Sequence, residues 1–378
     1  MTDFLFYGDT ERSAAMRHEL PVPIGDPFLL AIVDDRLHVM TNSLERSRVE
    51  AAAPDAVLHD ITDLGLYDLL KVGIGSYELE LELTSRAAKA MGVTDVVADP
   101  EMPVAVADRL RSDGLTLTPD HAAVAVRRRA KSPAEIAGIR RAQTAAEAGM
   151  TAAAAVLRMA VPDGDTLTLE GEVLTAEAVR AVLREACQRH GAPAPPDVIV
   201  ASVWQGYGHE AGSGPLPANL PIAIDLWPRD EASGCWADMT RTFVVGEVSE
   251  AVRNLEVLVR AGIERAREAV RPGITGKELH GLVCDVFESA GYRTLRTGPG
   301  EHEDDGFQFS LGHGVGLEVH EEPGLGMTGQ SALVPGDVLA IEPGLWFHDL
   351  GEVRFEDLLL VTEDGCETLT QYPYELAP

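Results

Sequence analysis

Two strand-length apolar runs in the C-terminal half of this chain carry carboxylates that no hydrophobic core requires. Ile222-Ala223-Ile224-Asp225-Leu226-Trp227 and Val338-Leu339-Ala340-Ile341-Glu342 have the composition of buried strands. A second acid follows each run across a turn. Asp238 stands in Trp236-Ala237-Asp238-Met239-Thr240-Arg241-Thr242-Phe243, beyond the turn-rich Pro228-Arg229-Asp230-Glu231-Ala232-Ser233-Gly234, and Glu356 ends Val353-Arg354-Phe355-Glu356, beyond His348-Asp349-Leu350-Gly351. A hairpin centred on Glu231 and Ala232 sets Asp225 opposite Asp238, and a pairing centred on Asp349 sets Glu356 opposite Glu342. Like charges opposed on a sheet repel, so a fold that buries these strands has to hold cations between them.

His313 completes the set. It lies in Ser310-Leu311-Gly312-His313-Gly314-Val315-Gly316-Leu317. Four carboxylates with a neutral imidazole sum to a charge that two divalent ions balance, and oxygen-rich ligation with one imidazole suits Mn²⁺, Fe²⁺, Co²⁺ or Zn²⁺ over a thiolate-selected metal. Taken singly, a Glu before Pro-Gly is a turn residue; taken together, Asp225, Asp238, His313, Glu342 and Glu356 form a ligand set. The glycines around His313 superficially suggest a phosphate loop, but they enclose a histidine and do not open a helix after a strand. The chain has no Gly-x-Ser-x-Gly elbow, no His-Glu-x-x-His pair and no Walker A sequence, which removes three common hydrolase or nucleotide chemistries.

Bulk properties set the frame. The chain of 378 residues exceeds the usual size of a single core, and 45% hydrophobic residues suffice to bury a substantial one. A net charge of −30 with only 31 basic residues argues against nucleic acid or an anionic membrane as a partner. The start, Met1-Thr2-Asp3-Phe4-Leu5-Phe6-Tyr7-Gly8-Asp9, lacks a basic leader, and no apolar run reaches the roughly 18 residues of a membrane span, so a cytoplasmic protein is expected. Cys187, Cys235, Cys284 and Cys366 are far apart, which suits reduced thiols, with Cys235 a small hydrophobe in a strand.

The pattern divides the chain in two. Strands are predicted at Phe28 to Val33, Arg36 to Thr41 and Asp95 to Ala98, with helical periodicity over Leu44 to Ala53, Glu78 to Met91 and Val104 to Arg111. No chemical motif occurs there. The basic run Arg127-Arg128-Arg129-Ala130-Lys131 then leads into Ser132-Pro133-Ala134-Glu135, an N-cap with proline at the first helical position and an acid in the first turn. Domains of residues 1–126 and 127–378 follow. In the second, helices from Pro133 to about Met159 and from Ala176 to His190 precede a strand at Asp197 to Ser202 and the Asp-bearing strands. Two more, near Ser249 to Ala269 and Thr275 to Ala290, precede a strand-rich end, an α+β order.

Four segments together resemble a known family. Asp238-Met239-Thr240-Arg241-Thr242, Ser310 to Glu321, Ile341-Glu342-Pro343-Gly344 and Arg354-Phe355-Glu356-Asp357 are similar to the signature of the pita-bread metallopeptidases, family M24, which includes creatinase, prolidase and methionine aminopeptidase. Arg129 to Ile136 resembles the entry to the catalytic domain of the Xaa-Pro peptidases. The resemblance covers residues 127 to 370, and implies a pita-bread catalytic domain behind a smaller α/β creatinase-type N-terminal domain. It also implies metal-dependent hydrolysis of Xaa-Pro bonds in short peptides, by a dipeptidase or aminopeptidase acting as a homodimer. A non-peptidase C–N hydrolase on the same fold, as creatinase is, is the other reading.

Roles follow from the resemblance residue by residue. Asp225 would bind one ion bidentately, Asp238 and Glu356 would bridge both, and His313 with Glu342 would complete the second site, around a water made acidic by two Lewis acids. Glu342 would also carry the proton to the leaving amine. His320, seven residues after His313, matches a histidine that positions substrate or steadies the tetrahedral intermediate; His209, in Gly206-Tyr207-Gly208-His209-Glu210, falls where the family has a histidine before the first metal strand. Arg354 would orient a carboxylate. The chain departs from the family in a hairpin tip two residues longer, in Phe309 where Xaa-Pro peptidases carry a substrate-contacting histidine, and in Trp346 where they often carry tyrosine. Both changes keep bulk and remove a polar handle, so a broad apolar leaving-group pocket is expected.

Overall fold

The computed structural model describes residues 2–206 and 208–378. They form two compact units, Met1–Arg128 and Arg129–Pro378. In the first unit, a six-stranded sheet runs in the spatial order Val57–Asp60, Arg36–Thr41, Phe28–Val33, Phe4–Gly8, Asp95–Ala98 and Thr116–Pro119. The hairpin Phe28–Val33/Arg36–Thr41 has the predicted bounds. Asp34 and Asp35, with φ of 50° and 60°, make the left-handed turn whose twist matches that of the strands it joins. Phe4–Gly8 was not anticipated as a strand, yet it sits inside the sheet, antiparallel to Phe28–Val33 and parallel to Asp95–Ala98. A short apolar run at a chain start has no periodicity by which to identify it. Phe6, Leu29, Leu30 and Met16 anchor the core beneath.

The second unit opens with the long helix Pro133–Met159. Ser132 and Glu135 form a reciprocal capping box and Pro133 occupies the first turn, so the start is fixed by local chemistry alone. Helix Ala176–Arg189 packs beside it, where the Cys187 thiol donates to the Ala145 carbonyl (3.3 Å). Burial pushes that thiol up to about 12, and Cys235 up to about 11, so both stay protonated at neutral pH. The three short strands Val161–Asp163, Thr166–Leu169 and Glu172–Val173 between these helices carry too little patterning to be found from sequence. No helix of the described residues is long and apolar enough to cross a membrane.

Three further sheets build the rest. Ile199–Ala201, Ile222–Leu226 and Met239–Phe243 form an antiparallel trio; Gly312–Gly314, Val338–Ile341, Asp357–Val361 and Cys366–Thr368 form another sheet; Gly344–Phe347 pairs with Gly351–Arg354. Helices Glu250–Ala269 and Gly276–Ser289 contribute Val252, Leu255, Val259, Val283 and Phe287 to a core with Phe307, Ile341 and Phe355.

One core residue is out of character. His280 is fully buried, tilts against Phe307 at 5.1 Å between ring centroids, and has no hydrogen-bond partner for either ring nitrogen among the described residues. Burial lowers its pKa from 6.5 to about 4, with the nearby Arg296 charge adding to the effect. The folded state therefore binds fewer protons at this ring than the unfolded chain does. Stability is unaffected above the unfolded pKa and falls as pH drops from 6.5 towards 4, by roughly 3 kcal/mol at the limit. His280→Phe should stabilise the protein by about 1–2 kcal/mol at pH 7 by removing an unsatisfied polar ring, and should flatten this acid limb. Thermal unfolding from pH 7 to 4 checks both; a variant less stable at pH 7 that retains the full acid loss contradicts this view of the site.

Candidate metal centre

The Asp-bearing hairpin forms, but with a register two residues from the expected one. Asp225 lies opposite Thr240 and Leu226 opposite Met239, so Asp225 does not face Asp238 directly. The cause is at the tip. Asp230 accepts bonds from the Ser233 amide (2.9 Å) and hydroxyl (2.6 Å) and from Arg141 Nε and Nη2 (3.0 and 2.8 Å), which centres the turn one residue later, on Ala232 and Ser233. A slip of two preserves the face to which each side chain points, so Asp225 and Asp238 remain diagonal neighbours on one side of the sheet.

The Glu pairing has the expected register. Gly344 faces Arg354 and Ile341 faces Asp357, which leaves Glu342 level with Glu356 at the junction of two separate ladders. Pro343 has no amide hydrogen to continue the ladder. The Glu356 amide points to the other side and donates to the Thr240 carbonyl (3.1 Å), while Thr240 Oγ1 donates to Glu356 Oε2 (2.7 Å). Behind them the fully buried Arg241 donates to the carbonyls of Thr240 (2.8 Å), Glu356 (2.7 Å) and Tyr372 (2.8 Å) and to Asp357 Oδ1 (2.8 Å). One guanidinium thus locks the Asp strand to the Glu strand.

His313 comes in on the short strand Gly312–Gly314, opposite Ala340. Gly312, at φ 155°, lies so close to Val338–Ile341 that a Cβ there would sit 1.9 Å from the Ala340 carbonyl oxygen. His313 Nδ1 donates to the Gly314 carbonyl (3.1 Å), leaving the Nε2 lone pair towards Asp238 Oδ2 and Glu342 Oε1, each 3.7 Å away. That spacing is too long for a hydrogen bond and leaves room for an ion between ligands.

Ligand atoms converge in three overlapping groups, each within 4.8 Å: Asp225, Asp238 and Glu356; His313, Glu342 and Glu356; and Asp238, His313 and His320. Burial, then the Glu356, Asp225 and Glu342 charges, push the Asp238 carboxyl well above the carboxylate range; burial, then Glu342 and Asp225, do the same to Glu356. Arg354 is the counter-charge within this cluster. Its Nη2 donates to Asp225 Oδ2 (2.9 Å) and its Nη1 to Glu342 Oε2 (2.8 Å). One guanidinium cannot neutralise four acids, and Asp225 Oδ1 is buried with no hydrogen-bond partner among the described residues. An orphaned carboxylate oxygen aimed into a carboxylate and imidazole cluster fits a divalent cation.

The centre opens onto a cavity of about 600 Å³, lined by Phe309, His313, His320, Glu342, Glu352 and Arg354 among others. His320 stands edge-on to His313, with ring centroids 4.2 Å apart, and burial together with His313 and His209 lowers its pKa to about 4. His209 lines the same cavity from an exposed loop. Trp346 is not among its lining residues; of the two substituted positions, Phe309 alone lines the cavity. Sequence reasoning missed Thr240, Arg241 and Glu352. Period-two alternation was the available signal: Thr240 shares a strand face with Asp238, and Glu352 with Arg354 and Glu356.

Comparison with known proteins places this arrangement. The model of metallopeptidase family M24 matches residues 137–363, more than half of the chain. The chain belongs to that family. An Xaa-Pro dipeptidase of Pyrococcus furiosus is 41% identical over 140 residues, which cover 37% of this chain and 37% of the relative. The curated relatives are thus matched over little more than a third of their length. Two solved structures match throughout: a prolidase from Pyrococcus horikoshii OT3 (TM-score 0.76, 22% identity, 100% of this chain and 95% of the other) and an X-Pro aminopeptidase from Thermotoga maritima MSB8 (0.78, 21%, 99% and 97%). At these identities the likeness is one of fold, pita-bread domain and N-terminal domain included.

Because Glu356 belongs to two of the three ligand groups, Glu356→Ala should empty the centre, whereas His320→Ala should retain metal. Elemental analysis after loading checks this, with close to two ions per chain expected in the wild type. Equal metal loss from both variants contradicts the division between ligand and cavity residue.

Proposed function

We propose that this chain is a dinuclear metallopeptidase that hydrolyses Xaa-Pro bonds in short peptides, acting in the cytoplasm as a homodimer with residues 127–378 as its catalytic domain. The observation that carries the reading is the buried ligand set with an unpartnered Asp225 oxygen, open on one side to a peptide-sized cavity. Asp225, Asp238 and Glu356 would hold one ion, and His313, Glu342 and Glu356 the other, with Asp238 also within reach of the second group through His313. Mn²⁺, Co²⁺, Zn²⁺ and Fe²⁺ all suit these donors. When bound, such ions polarise the scissile carbonyl and lower the pKa of an attacking water.

The remaining steps belong to the protein. Arg354 fixes one oxygen of Glu342 and leaves the other towards His313, so this carboxylate is oriented to take a proton from the nucleophile and deliver it to the departing amine. His320, neutral and turned into the cavity, donates to the oxyanion that develops on the carbonyl. His209 steadies the peptide at the cavity mouth. Arg354 also pins Asp225, so the two metal-binding strands cannot drift apart.

Specificity follows from Phe309. Its ring packs edge-on against Phe307 at 5.1 Å between centroids and offers no hydrogen bond to substrate. A broad preference that favours proline only modestly is expected. Assay of Xaa-Pro and Xaa-Ala dipeptides and tripeptides with each metal tests the function, and chelation should abolish turnover. Phe309→His should raise kcat/KM for Xaa-Pro peptides by roughly 2- to 12-fold relative to Xaa-Ala, the worth of one hydrogen bond. A wild type strictly dependent on proline, with an inactive Phe309→His variant, contradicts this account of the pocket.

A further inference from the structure

We propose that Glu352 makes the cavity select peptides carrying a cationic side chain, lysine or arginine, within two residues of the scissile bond. This rests on the reading of the cavity as the peptide site. Glu352 is presented by the strand Gly351–Arg354, on the same face as Arg354 and two residues nearer the turn. Its side chain is only 12% exposed, and that exposure is to the cavity.

Among the described residues no group donates a hydrogen bond to the carboxylate, which is ion-paired with Arg354 alone. Its polar contact is with Arg354 Nε, 3.4 Å away, and that Nε makes no hydrogen bond to any described residue. Arg354 has committed Nη1 and Nη2 to Glu342 and Asp225, so it cannot turn to Glu352 without releasing them. A carboxylate can accept about four hydrogen bonds. That capacity is left facing the space a substrate enters.

Charge and shape favour the same ligand. The four ligand carboxylates are matched by two divalent ions, which leaves Glu352 and Asp304 as the other acids on the cavity; Arg354 is the sole lysine or arginine among its described lining residues. A substrate carboxylate meets no uncommitted cation there, whereas an ammonium or guanidinium can meet Glu352. Phe309 supplies the apolar part. A Cβ on Gly344 would fall 2.9 Å from Phe309 Cζ and 3.0 Å from Arg354 Cβ, so the ring lies over the strand pair that presents Arg354 and then Glu352. An aliphatic stem can run along the ring and place its charged head on the carboxylate.

The test uses metal-loaded full-length enzyme and two pairs of tripeptides, Lys-Pro-Ala with norleucine-Pro-Ala and Ala-Pro-Lys with Ala-Pro-norleucine. Within a pair the stem is constant and only the cation differs. Turnover gives kcat/KM, and calorimetric titration with analogues whose scissile carbonyl is reduced to a methylene gives affinity independently of catalysis. The wild type should favour lysine about tenfold in one of the pairs, which also assigns the subsite, and Glu352→Gln should bring that ratio close to one. Elemental analysis of the variant verifies that its metal is intact, and Glu352→Ala serves should the glutamine variant not fold. No lysine preference in either pair, or a preference that survives both substitutions, overturns the proposal. A wild type that cleaves neither these tripeptides nor the dipeptides Lys-Pro and norleucine-Pro, but binds the lysine analogue more tightly, through Glu352, removes the peptidase reading and leaves this selectivity standing.

Discussion

The structure of the second unit depends on how several carboxylates are brought together out of water. Asp225, Asp238 and Glu356 are each less than a tenth exposed, and they share a small volume with half-buried Glu342. Without cations the folded state relieves this by taking up protons: burial first, and the neighbouring carboxylates after it, push the Asp238 and Glu356 carboxyls upwards. The surroundings limit the damage without removing it. Arg354 spans Asp225 and Glu342, Thr240 donates to Glu356, and Arg241 braces the backbone behind. These contacts determine where the acids sit. Asp225 Oδ1 has no partner among the described residues, so their donors do not complete the site.

Much of this was legible in the chain. Apolar strands with acids at their ends announce a buried charge problem, and the hairpin arithmetic gave the Glu342–Glu356 register correctly because the turn between Gly344–Phe347 and Gly351–Arg354 is short and regular. The Asp hairpin was displaced by two because Asp230 rebuilds its tip through Ser233 and Arg141, the latter contributed by a helix remote in sequence. Tertiary hydrogen bonds of that kind leave no local pattern. The side-chain face survived the slip, so Asp225 and Asp238 still converge despite the error in register.

Other elements were illegible for different reasons. Strand Phe4–Gly8 is identified by its neighbours in the sheet and not by its own periodicity, and the three short strands from Val161 to Val173 are too brief to carry any. Arg241 looked like one basic residue in a motif; its function as the clamp between two sheets depends on Asp357, Tyr372 and Pro373, more than a hundred residues away. Glu352 was visible in principle, since it alternates with Arg354 and Glu356. Its significance emerges only with the cavity, which both Phe309 and Glu352 line.

The central claim is that the buried acids exist to hold two cations, and diffraction tests it most directly. Crystals of the protein loaded with Mn²⁺ or Co²⁺, recorded on both sides of the metal absorption edge, should show two anomalous peaks about 3–4 Å apart. One peak should be ligated by Asp225, Asp238 and Glu356, the other by His313, Glu342 and Glu356, at roughly 2.0–2.2 Å for each ligand bond. A fully loaded crystal with no anomalous peak inside the cluster, and with Asp225 Oδ1 instead hydrogen-bonded to protein or water, would contradict the account.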